Sequence, residues 1–374
     1  MIRLAVVGCG HLGRIHARLA AAAEAIELVA LVDPVEAARN AVAADLGVAA
    51  LATVDELPAD LDAAILAAPT FLHEELGLAL LERGLHLLIE KPLATRSAEA
   101  NTLVAAARAG RRVLQVGHVE RFNPALDAAR DRLTDAKYIE ARRYSGYTFR
   151  STDIGVVLDM MIHDLDVVLS LVDSEVVDVE ALGVAVMGEH EDAATARLKF
   201  ANGCVANLSA SRISYERMRR MQVWTPVRFA ALDFDTGTTK LVEPDGSLTD
   251  GSFDSEALSA DAKATARDTL FETLLPLREV SGPEVNAIVE EQADLVAAIE
   301  TGSTPRVTGE AGRDAVALAE RILAAIEQHQ WDGHAGGPTG ARRHVRTPIV
   351  PGPHWHLGTS ATDVTAQSPR REAG

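Results

Sequence analysis

From residue 1 to about 122, short apolar runs alternate with Ala-rich stretches whose apolar positions recur every three to four residues. The runs "RLAVVG", "IELVALVD", "AAILAAP", "HLLIEKP" and "RRVLQVGH" read as strands, and helices are predicted over 11–24, 35–46, 71–83 and 97–109. Continuous apolar strands separated by amphipathic helices predict a parallel sheet covered on both faces, the doubly wound α/β arrangement.

After about residue 135 the period changes. "KYIEARRYSGY", "VVDVEALGVAVM", "DAATARLKFANGCVANLSAS", "RMRRMQVWTP" and "RFAALDFDTGTTKLVE" read as longer strands, with hairpin turns expected at Asn202-Gly203 and Asp245-Gly246. A helix around 156–172 precedes most of them, and two more are predicted over 283–301 and 310–328. This predicts a second, α+β domain over 123–330, built on an open and mainly antiparallel sheet. From Trp331 the periodicity fades, and Gly and Pro supply 12 of the last 44 residues, so 331–374 is expected to be a disordered tail. His354, Trp355 and His356 in that tail read as incidental rather than as a metal clip.

At 374 residues the chain suits two domains, and 48% apolar with 24% charged residues is a globular profile. The formal charge of −18 argues against nucleic acid or an anionic membrane surface as the main partner. A small molecule fits better. Cys9 and Cys204 cannot build a disulfide framework, which suits a reducing compartment. No run reaches the ~18 apolar residues of a membrane span, and the expected location is the cytoplasm.

Three stretches carry chemistry. "VVGCGHLGRIHA" places Gly8, Gly10 and Gly13 as G-x-G-x-x-G directly after a strand and at the start of a helix, with His11 and Leu12 inside the turn. The first glycine permits the tight turn, the second lets a pyrophosphate approach the backbone, and the third allows close helix–strand packing. Asp33 ends the second strand 20 residues after Gly13, where its carboxylate can take the hydroxyls of an adenosine ribose. Strand, turn, helix and acid together predict a Rossmann domain binding NAD. A 2′-phosphate would meet like charge at Asp33, and Pro34 and Val35 supply no cation to offset it.

"HLLIEKPLA" puts Glu90, Lys91 and Pro92 at the carboxyl end of a buried strand, the side on which open α/β sheets bind ligands. "VVLDMMIHDLD" spaces Asp159, His163 and Asp166 four and three apart, so on a helix they share a face. That face suits a metal site, a braced helix or a proton-handling edge. A metal is disfavoured because hydride transfer to NAD supplies an electron sink without one, and Asp164 and Asp166 read as bracing residues.

With Pro69, Thr70 and His73 of "AAPTFLHEE", these motifs resemble the Gfo/Idh/MocA oxidoreductases, NAD(P)-dependent enzymes of sugars and cyclitols, over roughly residues 1–328. The resemblance implies that Lys91 lies near the reacting hydroxyl and the nicotinamide, that His163 is the catalytic histidine, and that Asp159 is the acid one turn before it. It places Gly8, Gly10, His11, Leu12, Gly13, Asp33, Pro69, Thr70, His73, Glu90 and Lys91 at the cofactor. "GHVERFNPAL" and the stretch around His163 are similar to the branch that oxidises the 3-hydroxyl of UDP-N-acetylglucosamine, toward the 2,3-diamino sugar of lipid A. Met161 stands where many members have a small residue, commonly Gly.

A neutral imidazole suits removal of a hydroxyl proton, and an ammonium beside it stabilises alkoxide character and lowers the imidazole pKa by like-charge repulsion. Arg121 and Asn123 are expected at the mouth of the cleft, in contact with substrate, or else as a linker salt bridge and a cap ahead of Pro124. Arg142, Arg143 and Arg150 are candidate cations for a diphosphate. His73 and His118 rank below Lys91 and His163, since both also read as ordinary loop residues. The competing functions are another sugar or cyclitol dehydrogenase, an NAD-recycling glycoside hydrolase, and a non-catalytic dinucleotide sensor. An exposed sheet face in the second domain predicts a homodimer or homotetramer.

Overall fold

The structure, a computed structural model, describes residues 1–149, 154–331, 334–335 and 337–341. The first sheet has six strands: β1 (Ile2–Val7), β2 (Ile26–Val32), β3 (Ala49–Leu51), β4 (Ala63–Leu66), β5 (His86–Glu90) and β6 (Leu114–Gly117). Every pairing is parallel, and the order is β3-β2-β1-β4-β5-β6. Helices α1 (His11–Ala22), α2 (Glu36–Leu46), α3 (His73–Glu82) and α4 (Ser97–Gly110) make the crossovers. All four residues of β4 are buried, as both-face coverage requires. Strand order reverses between β1 and β4, which opens a crevice over their carboxyl ends.

The second sheet has eight strands: β7 (Tyr138–Tyr144), β8 (Val176–Val184), β9 (Ala193–Phe200), β10 (Val205–Ser211), β11 (Met218–Thr225), β12 (Arg228–Asp233), β13 (Thr238–Val242) and β14 (Leu277–Ser281). Their order is β14-β13-β12-β11-β7-β10-β9-β8, and only the β7–β10 pair is parallel. Period-two burial is clean on β7, where Ile139, Ala141 and Arg143 point inward. The short helix α5 (Pro124–Asp127) precedes this sheet, and α6 (Ile162–Leu171) packs beneath it, led in by a π-helical turn at Val157–Met161.

The turn at Asn202-Gly203 joins β9 to β10 as expected, with Gly203 at φ +85°. Asp245-Gly246 does not make a hairpin. Asp245 instead caps a short helix, α7 (Gly246–Thr249), its Oδ1 accepting from the Ser247 amide at 2.9 Å. β13 reaches its partner β14 only after α7 and an exposed helix, α8 (Ala260–Asp268). An Asp-Gly pair serves a turn and a helix cap equally well, because both use the short side-chain oxygen against a nearby amide.

Of the last two helices, α9 (Ala287–Thr301) returns to the first sheet, and α10 (Gly309–Gln328) packs between α4 of the first domain and α6 and β8 of the second. Leu295 and Val296 of α9 share a core with Ile2, Leu4, Leu28 and Leu31, and the Val116 amide of β6 donates to Val307 O at 3.1 Å. Past α10, the Ala185 amide donates to Thr339 O at 2.7 Å, so that the tail runs along the end of β8. Arg150, His354, Trp355 and His356 lie outside the described residues. Cys9 and Cys204 are both free and buried. Among the described residues no helix is long and apolar enough to cross a membrane.

Candidate active site

At the end of β1, Gly8 sits at φ +99°, and a Cβ there would lie 2.6 Å from Ala67 O. A Cβ on Gly13 would come within 1.8 Å of Gly8 O, so α1 reaches the strand end only with glycine at that position. Gly10 meets nothing within 4 Å, and no side chain caps the first turn of α1. Its amides therefore face open space, which fits the pyrophosphate of NAD. His11, exposed, and Leu12, half-buried, begin that helix. Asp33 is tied to the turn, its Oδ2 accepting from the Cys9 amide at 2.7 Å and its Oδ1 from the Val35 amide at 2.8 Å.

Two cations here went unread in the sequence. Arg14 Nε donates to Cys9 O at 2.9 Å, and Arg39 Nη1 donates to the carbonyls of Asp33 and Pro34, each at 3.2 Å. Arg39 lies six residues beyond the acid, on the first turns of α2, and only the folded loop brings it back.

Across the crevice, Pro69 and Thr70 are half-buried just after β4. His73 is buried with Nδ1 3.0 Å from Pro92 O and Nε2 2.9 Å from Ala68 O, so it staples the loops after β4 and β5 together. Glu90 is likewise a wall residue. His16 Nε2 meets its Oε1 at 2.9 Å, and the Lys91 amide donates to Oε2 at 3.1 Å. Gln292 Nε2 reaches back from α9 to His16 Nδ1 at 3.1 Å, which makes Nδ1 the acceptor and leaves Nε2 to donate to Glu90. Burial opposes charge on Glu90, but His16 and Lys91 outweigh it and hold the carboxyl below its ordinary range. Glu291 beside it has both oxygens buried without a partner, and burial, then Glu90, push its carboxyl well above that range.

Beyond Glu90, across a cis peptide to Pro92, Lys91 points into the crevice. Its Nζ donates to Asp159 O at 2.6 Å and stands 3.3 Å from Asp159 Oδ1. Asp159 sits on the π-helical turn, an irregularity common at functional sites. Glu191 secures the start of that turn, Oε1 accepting from the Val157 amide at 3.1 Å and its carbonyl from Val156 at 2.9 Å. His163 follows on α6, partly accessible, with Nδ1 buried and unpartnered. Burial first, then Lys91, Arg143, His118 and Arg219, push its imidazole well below the usual range. The ring is thus neutral at physiological pH, as a general base requires. Met161 between them is fully buried.

The other charged groups of this helix face inward. Asp164 takes Arg143 at 3.0 and 2.8 Å, and Arg143 also reaches Glu120 at 2.7 Å. Burial works against the Arg143 charge, but the two carboxylates more than compensate and raise its pKa. Arg143 is therefore engaged in the interior and cannot meet a diphosphate. Arg142 lies on the outer sheet face, paired with Glu140. Arg121 is buried, 3.4 Å from Asp166 and from Arg306 O. Asn123 caps α5 through Ala125 at 3.0 Å and donates to Glu120 and Phe234 O, both at 3.0 Å. Both residues take the bracing and capping roles that the sequence offered as alternatives to substrate contact. His118, ranked low in sequence, stands edge to face with His163, ring centroids 6.2 Å apart. Among the described residues, no three His, Cys, Asp or Glu side chains converge as a metal site.

The glycine turn after β1 thus lies across the crevice from Lys91 and Asp159, with His163 following on α6. A family model described as "Oxidoreductase family, NAD-binding Rossmann fold" matches residues 2–118, and one for the GFO/IDH/MocA C-terminal domain matches 98–225. UDP-N-acetylglucosamine 3-dehydrogenase of Acidithiobacillus ferrooxidans is 40% identical over 238 residues, 63% of this chain and 75% of that protein. The chain belongs to the Gfo/Idh/MocA oxidoreductases. A solved structure of the same Acidithiobacillus enzyme superposes with a TM-score of 0.76 at 34% identity, covering 87% of this chain and 97% of that one. The scyllo-inositol 2-dehydrogenase (NAD(+)) of Bacillus subtilis is 28% identical over 57% of this chain and 68% of its own. Levoglucosan dehydrogenase in complex with NADH, at 16% identity, TM-score 0.72 and coverage of 87% and 96%, shares the fold. This family member is an NAD-binding oxidoreductase with a six-stranded parallel Rossmann sheet and a mixed, mostly antiparallel eight-stranded sheet.

Proposed function

We propose that the chain oxidises the 3-hydroxyl of UDP-N-acetylglucosamine to a ketone with NAD. The observation that carries this reading is Lys91 Nζ, 2.6 Å from Asp159 O and 3.3 Å from its carboxylate, with Asp159 itself one turn before a neutral His163. The likeness to the Acidithiobacillus enzyme supports the substrate. NAD, held at Gly8, Gly10, Gly13 and Asp33, supplies the hydride acceptor when bound. NAD is favoured over NADP because Arg39 is turned to two carbonyl oxygens, which leaves the Asp33 carboxylate to oppose a 2′-phosphate.

Asp159 fixes the Lys91 ammonium where it holds the substrate oxygen and stabilises the charge that grows there. His163 accepts the hydroxyl proton. Arg219, less than half exposed beside Glu120 and acting on His163, is the cation at this edge for a nucleotide diphosphate. The outer face of the eight-stranded sheet, where Tyr138, Trp224 and Phe229 stack with centroids 4.8 and 4.9 Å apart, is the surface for a second copy of the chain.

The test is incubation with NAD and a panel of UDP-sugars and free cyclitols, with products identified by mass spectrometry. A 3-keto product from UDP-N-acetylglucosamine is expected, and turnover of a cyclitol in its place refutes the substrate. His163→Ala should lower kcat by about 10²-fold or more while NAD affinity holds. An unchanged rate removes it as the base.

A further inference from the structure

Five buried polar atoms without a hydrogen-bond partner gather on one side of α6: His163 Nδ1, both ring nitrogens of His118, Asp166 Oδ2 and Arg121 Nε. Buried polar atoms nearly always have a partner, which is often an ordered water. The rings of His118 and His163 stand edge to face, centroids 6.2 Å apart, with no hydrogen bond joining them, so a transfer between them calls for an intervening water. Asp166 continues the line. It lies three residues beyond His163, its charge acts on His118, and its Oδ1 meets Arg121 at 3.4 Å. Asp166 and Arg121 then line an open cavity of about 550 Å³ together with Ser170, Asp173 and Arg306.

Alcohol oxidation leaves a proton on His163, while sugar and dinucleotide cover the accessible edge of its ring. Nδ1 faces the other way, into the interior. We propose that His118 and Asp166 carry this proton from His163 to the cavity behind α6, resetting the base while product is still bound. The proposal rests on the sugar-oxidation reading above. The hydroxyl proton enters at Nε2 of His163, and the Nδ1 proton leaves through water to one nitrogen of His118. The proton on the other His118 nitrogen passes through a second water to Asp166, since no hydrogen bond joins the two side chains directly, and Asp166 releases it to the cavity. One proton leaves the substrate oxygen and one reaches solvent, and both rings regain their starting tautomers from water once the product departs.

The groups facing His118 suit a transient carrier: burial holds the ring neutral, Asp166 and Glu90 favour its charge, and Lys91 and Arg121 oppose it. His163 is faced by Lys91, Arg143, His118 and Arg219, all of which drive a proton away from it.

The test compares His118→Phe and Asp166→Asn with the native chain, loaded with NAD and the sugar it oxidises, by stopped flow with a pH indicator. NADH should form at the native rate in the first turnover, with proton release lagging behind it. Steady-state kcat should fall by about tenfold or more with KM and NAD affinity unchanged, and added imidazole should restore part of the His118→Phe rate. As a second readout without substrate, ring-nitrogen NMR should show His118 and His163 titrating together, with Asp166→Asn shifting both. Proton release in step with NADH in folded variants overturns the proposal. If His118→Phe does not fold, the near-isosteric Asp166→Asn decides alone. Turnover of a sugar other than UDP-N-acetylglucosamine removes the substrate assignment only, and the same measurement with that sugar decides the relay. Failure to reduce NAD with any alcohol overturns both.

Discussion

Arg143→Met bares two carboxylates inside the second domain. In the native chain Arg143 makes three close contacts, two to Asp164 and one to Glu120, and all three side chains are at most 5% exposed. Removing the one cation of such a group leaves charge buried without compensation, which costs about 3–5 kcal/mol. Against a native stability of roughly 5–15 kcal/mol this is a large share. At about 2 °C per kcal/mol for a chain of this size, the melting temperature falls by about 6–10 °C. Arg219, 3.8 Å from Glu120, offsets little, because it is already drawn to Asp235 at 3.6 Å.

The loss also has a pH signature. Burial pushes the Asp164 carboxyl up, and Arg143 restrains it. Without Arg143, Asp164 in the folded chain binds its proton more tightly than in the unfolded chain. Stability is then retained in acid and lost as pH rises, so the deficit grows from pH 5 to pH 8. Urea and thermal unfolding of both proteins across that range measure it, and adding Glu120→Gln with Asp164→Asn should recover most of the loss. A deficit below about 1 kcal/mol, the scale of an exposed pair, or one that is flat with pH, refutes the account of a buried cation at the centre of this group.

Lys91→Met should cut kcat by about 10²-fold or more and shift the acid limb of the rate profile to higher pH, because Lys91 is one of the charges depressing His163. The native limb should lie below the ordinary histidine value of about 6.5, and a limb that stays in place in the variant counts against that coupling. Glu291→Gln should stabilise the chain increasingly as pH rises from 5 to 8. The native carboxyl, raised by burial and by Glu90, contributes stability below its unfolded pKa that is lost with rising pH. Melting temperatures that differ by a constant amount across that range contradict it.

Much of the fold was legible because its signals are local. Gly8 and Gly13 are marked by their spacing within one turn, although the backbone that demands Gly8 comes from distant Ala67 and only Gly13 is demanded locally, by Gly8, and an alternating or continuous apolar run declares how many faces of a strand are covered. Lys91, Asp159 and His163 were legible as motifs. Their surroundings were not, because burial and partner are set by distant chain. Nothing near Arg143 separates a cation for a diphosphate from one enclosed by Glu120 and Asp164, and nothing near His118 reveals that both of its nitrogens are buried without a side-chain or backbone partner. Asp245-Gly246 failed for a different reason, since one dipeptide serves two local structures. The His16–Glu90 pair spans 74 residues and the Gln292–His16 contact spans 276.

That last contact bears on how the molecule can be cut and recombined. The glutamate behind Lys91 is oriented by a ring on α1, and the ring by an amide on α9, which also supplies Leu295 and Val296 to the core beneath β1 and β2. A fragment ending at residue 122 would keep every glycine of the dinucleotide turn and yet leave that core open and His16 without its partner. Exchanging sugar specificity between relatives of this chain therefore calls for two splices, near 123 and near 286, so that α9 travels with the core it completes, and α10 has to match both halves because it also packs on α6 and β8.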